Sequence, residues 1–376
     1  MDHLTSPESG VNRHYIVCDS RLQTVFVVRE INSIEIKDEA HAGMARRFVH
    51  GFASDLGFNE QELAEIDIVV QEIGTNAARY ANGGGELHYT TTLGEATGLE
   101  LFYWDKGPGI YDLDRAVRDG VSTSGSLGAG LGAIRRLMDD FDVYSTVRKT
   151  GRLVPSQRRS FHGTALLARK WARGERHETQ EKKTSEARRF GVWSRPLPGE
   201  RINGDAYFIR TLRGATLVAV VDGLGHGSGA KEASDAALDA LDEWNGEPLD
   251  EILYEAHNAL RPTRGAAIGL AIIDSSAERF HYAGVGNVAA RVFNAPEKIA
   301  PIPTNGTLGA QMGRLRVWSH AWSEGATFLM ASDGISEAWD LELYPGLINR
   351  APQLLAGILM RDFVRDTDDA TVLVAR

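Results

Sequence analysis

The sequence predicts an α+β protein of two domains, each built from helices packed on sheets. In the first half, apolar residues recur at helical spacing over 38–56 and again from 59 to 82, and strand-like runs follow. In the second half, short apolar runs of strand length alternate with helical segments. The stretch 169–189 between the halves is crowded with charges and is typical of a linker. We therefore expect helices on one face of a mixed, mostly antiparallel sheet, followed by two packed sheets flanked by helices.

The bulk composition limits the classes of function. The 376 residues are 43% hydrophobic and 24% charged, which is ordinary for a soluble globular protein. No apolar run is long enough for a membrane span, and the polar beginning of the chain lacks a secretory pattern. The net charge of −10 argues against a general nucleic-acid binder, and the single cysteine, Cys18, cannot form an internal disulfide. We therefore expect a cytoplasmic protein that binds neither nucleic acid nor membrane.

Two amphipathic helices open the first half. An apolar residue every four positions predicts the first helix over 38–56. The second begins after Asn59, a favourable N-cap with Glu62 three positions on. Strands are predicted at 86–92, 98–104 and 163–169.

The segment from Asp105 to Gly132 is rich in glycine and lies between a strand and a helix. Asp105 follows the apolar strand, where its carboxylate could accept a hydrogen bond from the amino group of a base. Glycines allow backbone N–H groups to approach an anion closely and allow a loop to open and close. The helix that follows, with apolar residues from Leu131 to Phe141 at helical spacing, would offer its positive N-terminal end to a phosphate. We therefore predict a nucleotide pocket that its own glycine-rich loop covers.

Glu72 and Asn76 lie four residues apart on the second helix, at the margin of its apolar face. An amide oxygen suits Mg²⁺, which prefers oxygen ligands and often bridges to nucleotide phosphates. A carboxylate one turn earlier could take the proton from an attacking hydroxyl. The alternative is that both side chains lie on the solvated rim of the helix, and an isolated pair favours that simpler interpretation.

Four short motifs follow one another in the first half: EIGTN (72–76), DKGPG (105–109), GAGLG (128–132) and Gly163-Thr164. Their order resembles the nucleotide-binding boxes of the GHKL ATPase/kinase family. Residues 122–132 and the closing HGTALLARKW resemble more narrowly the RsbT-type serine kinases of bacterial partner switches, over roughly 25–172. The resemblance implies that Glu72 is the general base and that Asn76 is a Mg²⁺ ligand. It also implies that ATP is bound, with adenine and phosphates contacted by Asp105, Gly107, Gly109, Gly128, Gly130, Gly132 and Thr164. A basic insertion at 148–160 departs from the resemblance and is a candidate for altered partner docking.

The second half is richer in strands. Strands are predicted at 205–211, 215–221, 266–274, 278–283, 288–293, 326–332 and 370–375. Helices are predicted at 230–244, 249–260 and 347–363. We place the charged linker at 173–188 and the second domain at 189–376.

Aspartates recur in this half next to predicted strands, at Asp205, Asp222, Asp333 and the pair Asp368-Asp369. Because carboxylates repel each other, a cluster of them is best explained by hard divalent cations. Two such ions can bridge a water molecule, lower its pKa and direct it at phosphorus. For any single aspartate the simpler alternative is turn formation, because Asp-Gly is a common turn dipeptide.

The motifs around these aspartates are GERINGD (199–205), VVDGLGHG (220–227), ASDGISE (331–337) and DDATVLV (368–374). Together they resemble the SpoIIE/RsbX branch of the metal-dependent serine/threonine phosphatases of the PPM class. The resemblance implies that Mn²⁺ or Mg²⁺ is bound by Asp222, the Gly223 carbonyl, Asp333 and Asp368. It also implies that Asp205 holds metal-bound water. Of the Asp368-Asp369 pair, position in the motif favours the first as ligand.

The two resemblances imply a bifunctional regulator that uses ATP to phosphorylate STAS-domain proteins on serine or threonine and also dephosphorylates them. A sigma factor or a downstream phosphatase is a further candidate partner. The loop 122–132 and the linker are the segments expected to bias the two activities. The alternative is a phosphatase whose first domain is a non-catalytic, nucleotide-dependent binding module of the anti-sigma kind. Glu72 argues against that alternative, because a pure binder needs no base there.

Overall fold

The computed structural model describes residues 23–27, 31–93, 98–118, 130–147, 161–172, 188–297 and 299–376. Within these ranges the chain forms a five-stranded, a six-stranded and a four-stranded sheet, together with the helices that cover them. No helix in the described ranges is long and apolar enough to cross a membrane.

The five-stranded sheet and its helices make up the first half. In sheet order its strands are β2 (Asn32–Ile36), β3 (Gly85–Thr91), β4 (Gly98–Asp105), β6 (Gly163–Trp171) and β5 (Asp140–Thr146), and each described pairing is antiparallel. The helices are α1 (Glu39–Asp55), α2 (Glu60–Tyr80), α3 (Leu113–Val117) and α4 (Gly130–Leu137). The expected arrangement of helices on a mostly antiparallel sheet is therefore confirmed, but the expected mixed character is not found, because no two described strands of this sheet pair in parallel.

Local sequence signals set the ends of these helices. The Asn59 side chain accepts a hydrogen bond from the Glu62 N–H at 3.0 Å, and the Glu62 carboxylate accepts one from the Asn59 N–H at 2.9 Å. This reciprocal cap confirms the predicted start of α2. The expectation that helical structure continues from Leu131 to Phe141 is wrong. The helix ends at Leu137, and Phe141 lies in β5, because residues 140–146 pair with β6 instead of extending α4.

Two further sheets form the second half. The six-stranded sheet has the order β1 (Gln23–Val27), β8 (Asp205–Leu212), β9 (Ala215–Gly223), β10 (Ala266–Asp274), β11 (Arg279–Val285), β13 (Trp318–Ala321). The four-stranded sheet has the order β12 (Ala289–Phe293), β14 (Thr327–Ala331), β15 (Ala370–Ala375), β7 (Phe190–Arg195). The helices are α5 (Ser228–Asp242), α6 (Leu249–Ala259) and α7 (Pro352–Phe363). The predicted helix 347–363 thus begins later, at a proline that suits the first turn of a helix.

The layers of the second half stack as predicted for a pair of sheets flanked by helices. One core fills the space between the six-stranded and four-stranded sheets, where Tyr207 and Val220 meet Phe328 and Met330. A second core lies between the six-stranded sheet and the pair α5 and α6. On the outer face of the four-stranded sheet lies α7. Strand β1 pairs with β8, so residues that precede the five-stranded sheet along the chain belong to the six-stranded sheet. The domain limits at 25–172 and 189–376 remain predictions.

Candidate functional site

The predicted base and the predicted magnesium ligand share helix α2. Glu72 and Asn76 are one turn apart, and both are half-buried. Burial raises the pKa of the Glu72 carboxyl above its ordinary value, and the positive charge of Arg79 opposes this rise. A carboxylate with a raised pKa accepts a proton more readily, which suits a general base.

Asp105 lies at the end of β4 and joins two other predicted site residues. Its Oδ1 accepts hydrogen bonds from the Gly107 N–H at 2.7 Å and from the Thr164 N–H at 3.2 Å. The Thr164 and Ser145 hydroxyls lie 3.0 Å apart. Burial raises the pKa of Asp105, while the two backbone donors favour its ionised form. The structure therefore brings Asp105, Gly107 and Thr164 together at one end of the strands of the five-stranded sheet.

At this end of the sheet, two positions require glycine because the backbone of a neighbouring segment lies too close for a side chain. Gly109 has φ +78°, and a Cβ added to it would lie 2.1 Å from the Thr146 carbonyl oxygen. Gly163 has φ +123°, and an added Cβ would lie 2.1 Å from the Asp105 carbonyl oxygen. Side chains rarely adopt such backbone angles and cannot fit such distances. Both glycines therefore have a packing role, which for Gly109 is in addition to the role that the phosphates would give it.

The glycine-rich cover of the predicted pocket is described only at its end. Gly130 and Gly132 lie in the first turn of α4, which packs against α2. Gly128 and the rest of 119–129 lie outside the described residues, as do the insertion 148–160 and the linker positions 173–187. The roles expected of these segments remain predictions.

The four predicted aspartates come from two sheets and meet at one end of the sheet pair. Asp205 opens β8 and is the register partner of Asp222 on β9. Asp333 follows β14, and Asp368 precedes β15, its antiparallel neighbour. The contact between the two sheets is direct, because the Ser332 hydroxyl donates a hydrogen bond to Asp205 Oδ2 at 2.6 Å.

The carboxylates of this cluster repel one another. Burial, followed by repulsion from Asp205, Asp333, Asp368 and Asp369, raises the pKa of Asp222 to about 9. Burial raises the pKa of Asp205 to about 7, against the hydrogen bond from the Ser332 hydroxyl. Burial and the charge of Asp368 raise the pKa of Asp333. The ionisation of each carboxylate therefore makes the ionisation of its neighbours less favourable.

A divalent cation fits this donor set. Among the described residues, no three Asp, Glu, His or Cys side chains converge closely enough to enclose a metal by themselves. The available donors are hard oxygens, namely the carboxylates and the loop carbonyls beside them, and such donors suit Mg²⁺ or Mn²⁺ ions that keep several water ligands. A cation would also offset the mutual repulsion that raises the pKa of Asp222.

Three residues to which the sequence analysis gave no role hold the cluster in place. Ser332, beside Asp333 in its motif, bridges the sheets, because its hydroxyl donates to Asp205 and accepts from the Thr371 N–H at 2.9 Å. The Asn287 amide donates to Asp333 Oδ2 at 2.6 Å, and no local pattern marks this asparagine.

Asp369 is the third of these residues. Its two oxygens accept hydrogen bonds from the Leu197 N–H at 2.7 Å and the Gly204 N–H at 2.9 Å. These bonds tie it to the backbone beside Asp205. Because both carboxylate oxygens of Asp369 already accept backbone hydrogen bonds, Asp368, the first of the pair, is favoured as the ligand.

Comparison with known proteins finds a different family in each half of the chain. Residues 36–154 match the family model described as a histidine kinase-like ATPase domain, and residues 213–376 match the model of stage II sporulation protein E, SpoIIE. Serine/threonine-protein kinase RsbT of Bacillus subtilis is 33% identical over 141 residues, which is 37% of this chain and 96% of RsbT. Phosphoserine phosphatase RsbX of Bacillus subtilis is 29% identical over 140 residues, which is 37% of this chain and 70% of RsbX. The anti-sigma F factor of Priestia megaterium is 35% identical over 109 residues, which is 27% of this chain and 74% of that factor.

Proposed function

The chain belongs to the RsbT-like, histidine kinase-type ATPases by its first half and to the SpoIIE-type phosphatases by its second, and we propose that it is a bifunctional partner-switching regulator. It would phosphorylate and dephosphorylate serine or threonine on STAS-domain signalling proteins in the cytoplasm of a bacterium. The observation that carries the proposal is the presence, in one chain, of the half-buried Glu72–Asn76 pair on α2, of Asp105 held by backbone N–H groups, and of a separate cluster of buried and half-buried aspartates.

For phosphorylation, we assign the proton transfer to Glu72. Its carboxylate would take the proton of the substrate hydroxyl as that oxygen bonds to the γ-phosphorus of ATP and the bond to ADP breaks. Asn76 would hold Mg²⁺, which supplies charge neutralisation between the phosphates. Asp105 would accept a hydrogen bond from the base, since its Oδ1 is already fixed by the Gly107 and Thr164 N–H groups.

For dephosphorylation, we assign cation binding to Asp222, Asp333, Asp368 and the Gly223 carbonyl. Bound Mg²⁺ or Mn²⁺ would supply Lewis-acid activation of water and of the phosphoryl group. Asp205 would orient the attacking water, and Ser332 fixes the Asp205 carboxylate through its 2.6 Å hydrogen bond.

A second candidate function is a phosphatase whose first domain binds nucleotide and a partner without transferring phosphate. The similarity to the anti-sigma F factor favours the partner-binding part of this candidate. The raised pKa of Glu72 opposes it, because a binding module gains nothing from a poised base.

The two candidates separate in a transfer assay with labelled ATP, Mg²⁺, Mn²⁺ and a STAS-domain protein of the same genome. The wild type and Glu60→Gln, a control at the exposed start of α2, should label the partner. Glu72→Gln should slow labelling about 100-fold or more. Asp222→Asn should leave the label on the partner. Nucleotide binding without any labelling by Asp222→Asn, which should not remove the label, would favour the binding module, and unchanged labelling by Glu72→Gln would refute the base assignment.

A further inference from the structure

The five-stranded sheet is buried on both faces, and its second face contacts the phosphatase half. Along β4, Leu101 and Tyr103 point into the core that α1 and α2 cover. Phe102 belongs instead to the core that contains α7 and the four-stranded sheet, and Trp104 packs against that core. Successive side chains of β4 therefore pack alternately into the core of the first half and the core that contains α7.

The contact between the domains is closely packed. The ring of Trp193 on β7 lies 5.0 Å from that of Phe102 and 4.8 Å from those of Trp104 and His88, between centroids. A Cβ added to Gly357 would lie 2.3 Å from Phe102 Cζ. The backbone of α7 thus rests on the ring, and little free space remains for the helix to shift independently of β4.

The C-terminal end of α7 contacts the residue assigned to the adenine base. The buried Arg361 side chain donates from Nη1 to the Asp105 carbonyl oxygen at 3.1 Å. Its Nε and Nη2 donate to the two carboxylate oxygens of Asp362 at 2.8 and 2.7 Å. The Tyr344 hydroxyl donates to Asp362 at 2.9 Å. Because the fork of Arg361 is buried and fixed by these acceptors, displacement of Asp105 would leave a buried donor unpaired unless α7 moved with it.

The same end of α7 holds the loop that carries a predicted metal ligand. The Ser336 N–H donates to the Phe363 carbonyl at 2.9 Å, and the Arg365 N–H donates to the Gly334 carbonyl at 2.8 Å. The Arg365 side chain donates from Nη1 to the Asp333 carbonyl at 3.0 Å. The backbone of the Asp333 loop is therefore anchored to Phe363, the last residue of α7, and to Arg365, two residues beyond it.

We propose that α7 couples the nucleotide site to the phosphatase centre, with Arg361 as the positioning residue that links Asp105 to the Asp333 loop. This coupling rests on the proposed function, because it needs a nucleotide at Asp105 and a reactive centre at Asp333. Coupling between binding sites is reciprocal, so cations bound in the second half must alter nucleotide affinity in the first. The route lies within the described residues and is separate from the loop 122–132 and the linker, which the sequence put forward for this role.

Hydrogen exchange tests the coupling without measuring turnover. The full chain is compared with and without saturating ADP at constant free Mg²⁺, and three peptides are followed: 72–80, 105–110 and 332–337. We expect ADP to slow exchange in the first two and to change exchange in the third by about five-fold or more. Protection at 72–80 and 105–110 with an unchanged 332–337 peptide overturns the coupling alone. No protection in any of the three overturns the nucleotide assignment, and the coupling with it.

A matched pair of substitutions locates the route. Arg361→Lys keeps a positive charge beside Asp362 and removes the fork that reaches Asp105, so it should abolish the response of 332–337 while 72–80 remains protected. Arg350→Lys is the control, because Arg350 also bridges the domains, with Nη1 3.2 Å from Asp142 Oδ1, but lies before the other end of α7. This control should keep the full response. A response that persists in Arg361→Lys, or that both variants lose equally, would overturn the role of Arg361. The wild-type experiment decides the coupling itself even if a variant folds poorly.

Discussion

Replacement of Asp222 by asparagine should stabilise the metal-free protein and weaken its response to metal. Asp222 has a pKa raised from 3.8 to about 9 by burial and by neighbouring carboxylates. Because its pKa is higher in the folded than in the unfolded state, ionisation costs nothing below pH 3.8, and the cost grows as the pH rises toward 9. The metal-free wild type should therefore lose stability across this range, and Asp222→Asn should lose less.

The size of the effect at neutral pH follows from the same shift. Between pH 3.8 and pH 7 the penalty grows by about 1.4 kcal/mol per unit, which gives an upper bound of about 4 kcal/mol. Asp222 keeps part of its surface in contact with solvent, and its proton is shared electrostatically with Asp205. Solvent screening and this coupling reduce the expected gain of Asp222→Asn to about 1–3 kcal/mol at pH 7, and to nearly zero at pH 4.

Urea unfolding after removal of metal measures this difference at pH 4, 7 and 8. Asp239→Asn, on the exposed side of α5, is the control and should change little at any pH. Added Mn²⁺ should stabilise the wild type more than Asp222→Asn, because binding to the folded state alone raises the free energy of unfolding. If Asp222→Asn were less stable than the wild type without metal at pH 7, or if its gain did not vary with pH, the electrostatic account of the cluster would be refuted.

Three further substitutions test the packing of the two sites, each by thermal unfolding. Gly109→Ala places a Cβ at φ +78° against a carbonyl oxygen of β5 and should lower the free energy of unfolding by about 1–3 kcal/mol. The control Gly51→Ala, on the open face of α1, should raise it by about 0.5–1 kcal/mol. Equal effects of the two substitutions would contradict the strain argument. Ser332→Ala removes the bond to Asp205 and should cost about 1–3 kcal/mol and weaken Mn²⁺ binding, and unchanged Mn²⁺ affinity would count against its bridging role. Gly357→Val pushes a side chain into an aromatic ring of β4 and should cost about 1–3 kcal/mol and expose the domain junction to protease, and wild-type resistance would contradict the shared layer.

Sequence reasoning worked best where a property depends on neighbours along the chain. The capping residues of α2, the short apolar runs that became β8, β9 and β15, and the strand-end positions of Asp205 and Asp333 all follow from local sequence. Such features are visible because helix and strand periodicity are encoded over a few residues.

The features that the sequence did not predict depend on distant partners. The run Leu99–Trp104 predicts a strand, but only the folded chain shows that Phe102 and Trp104 pack against the core of the second half. Arg361 looks like an ordinary charge at the end of a helix, and only folding places it against Asp105. Such contacts join positions far apart in sequence and leave no local pattern.

The most direct test of the account uses two variants that each keep one activity. Asp222→Asn, with its phosphatase centre disabled, should add one phosphoryl group from ATP to a STAS-domain partner. Glu72→Gln, with its base removed, should then take that group off the purified phosphoprotein when Mn²⁺ is supplied. Mass spectrometry of the partner should locate addition and removal at the same serine or threonine. Phosphorylation at one residue and hydrolysis only at another, or addition without removal, would contradict a single chain that reverses its own modification.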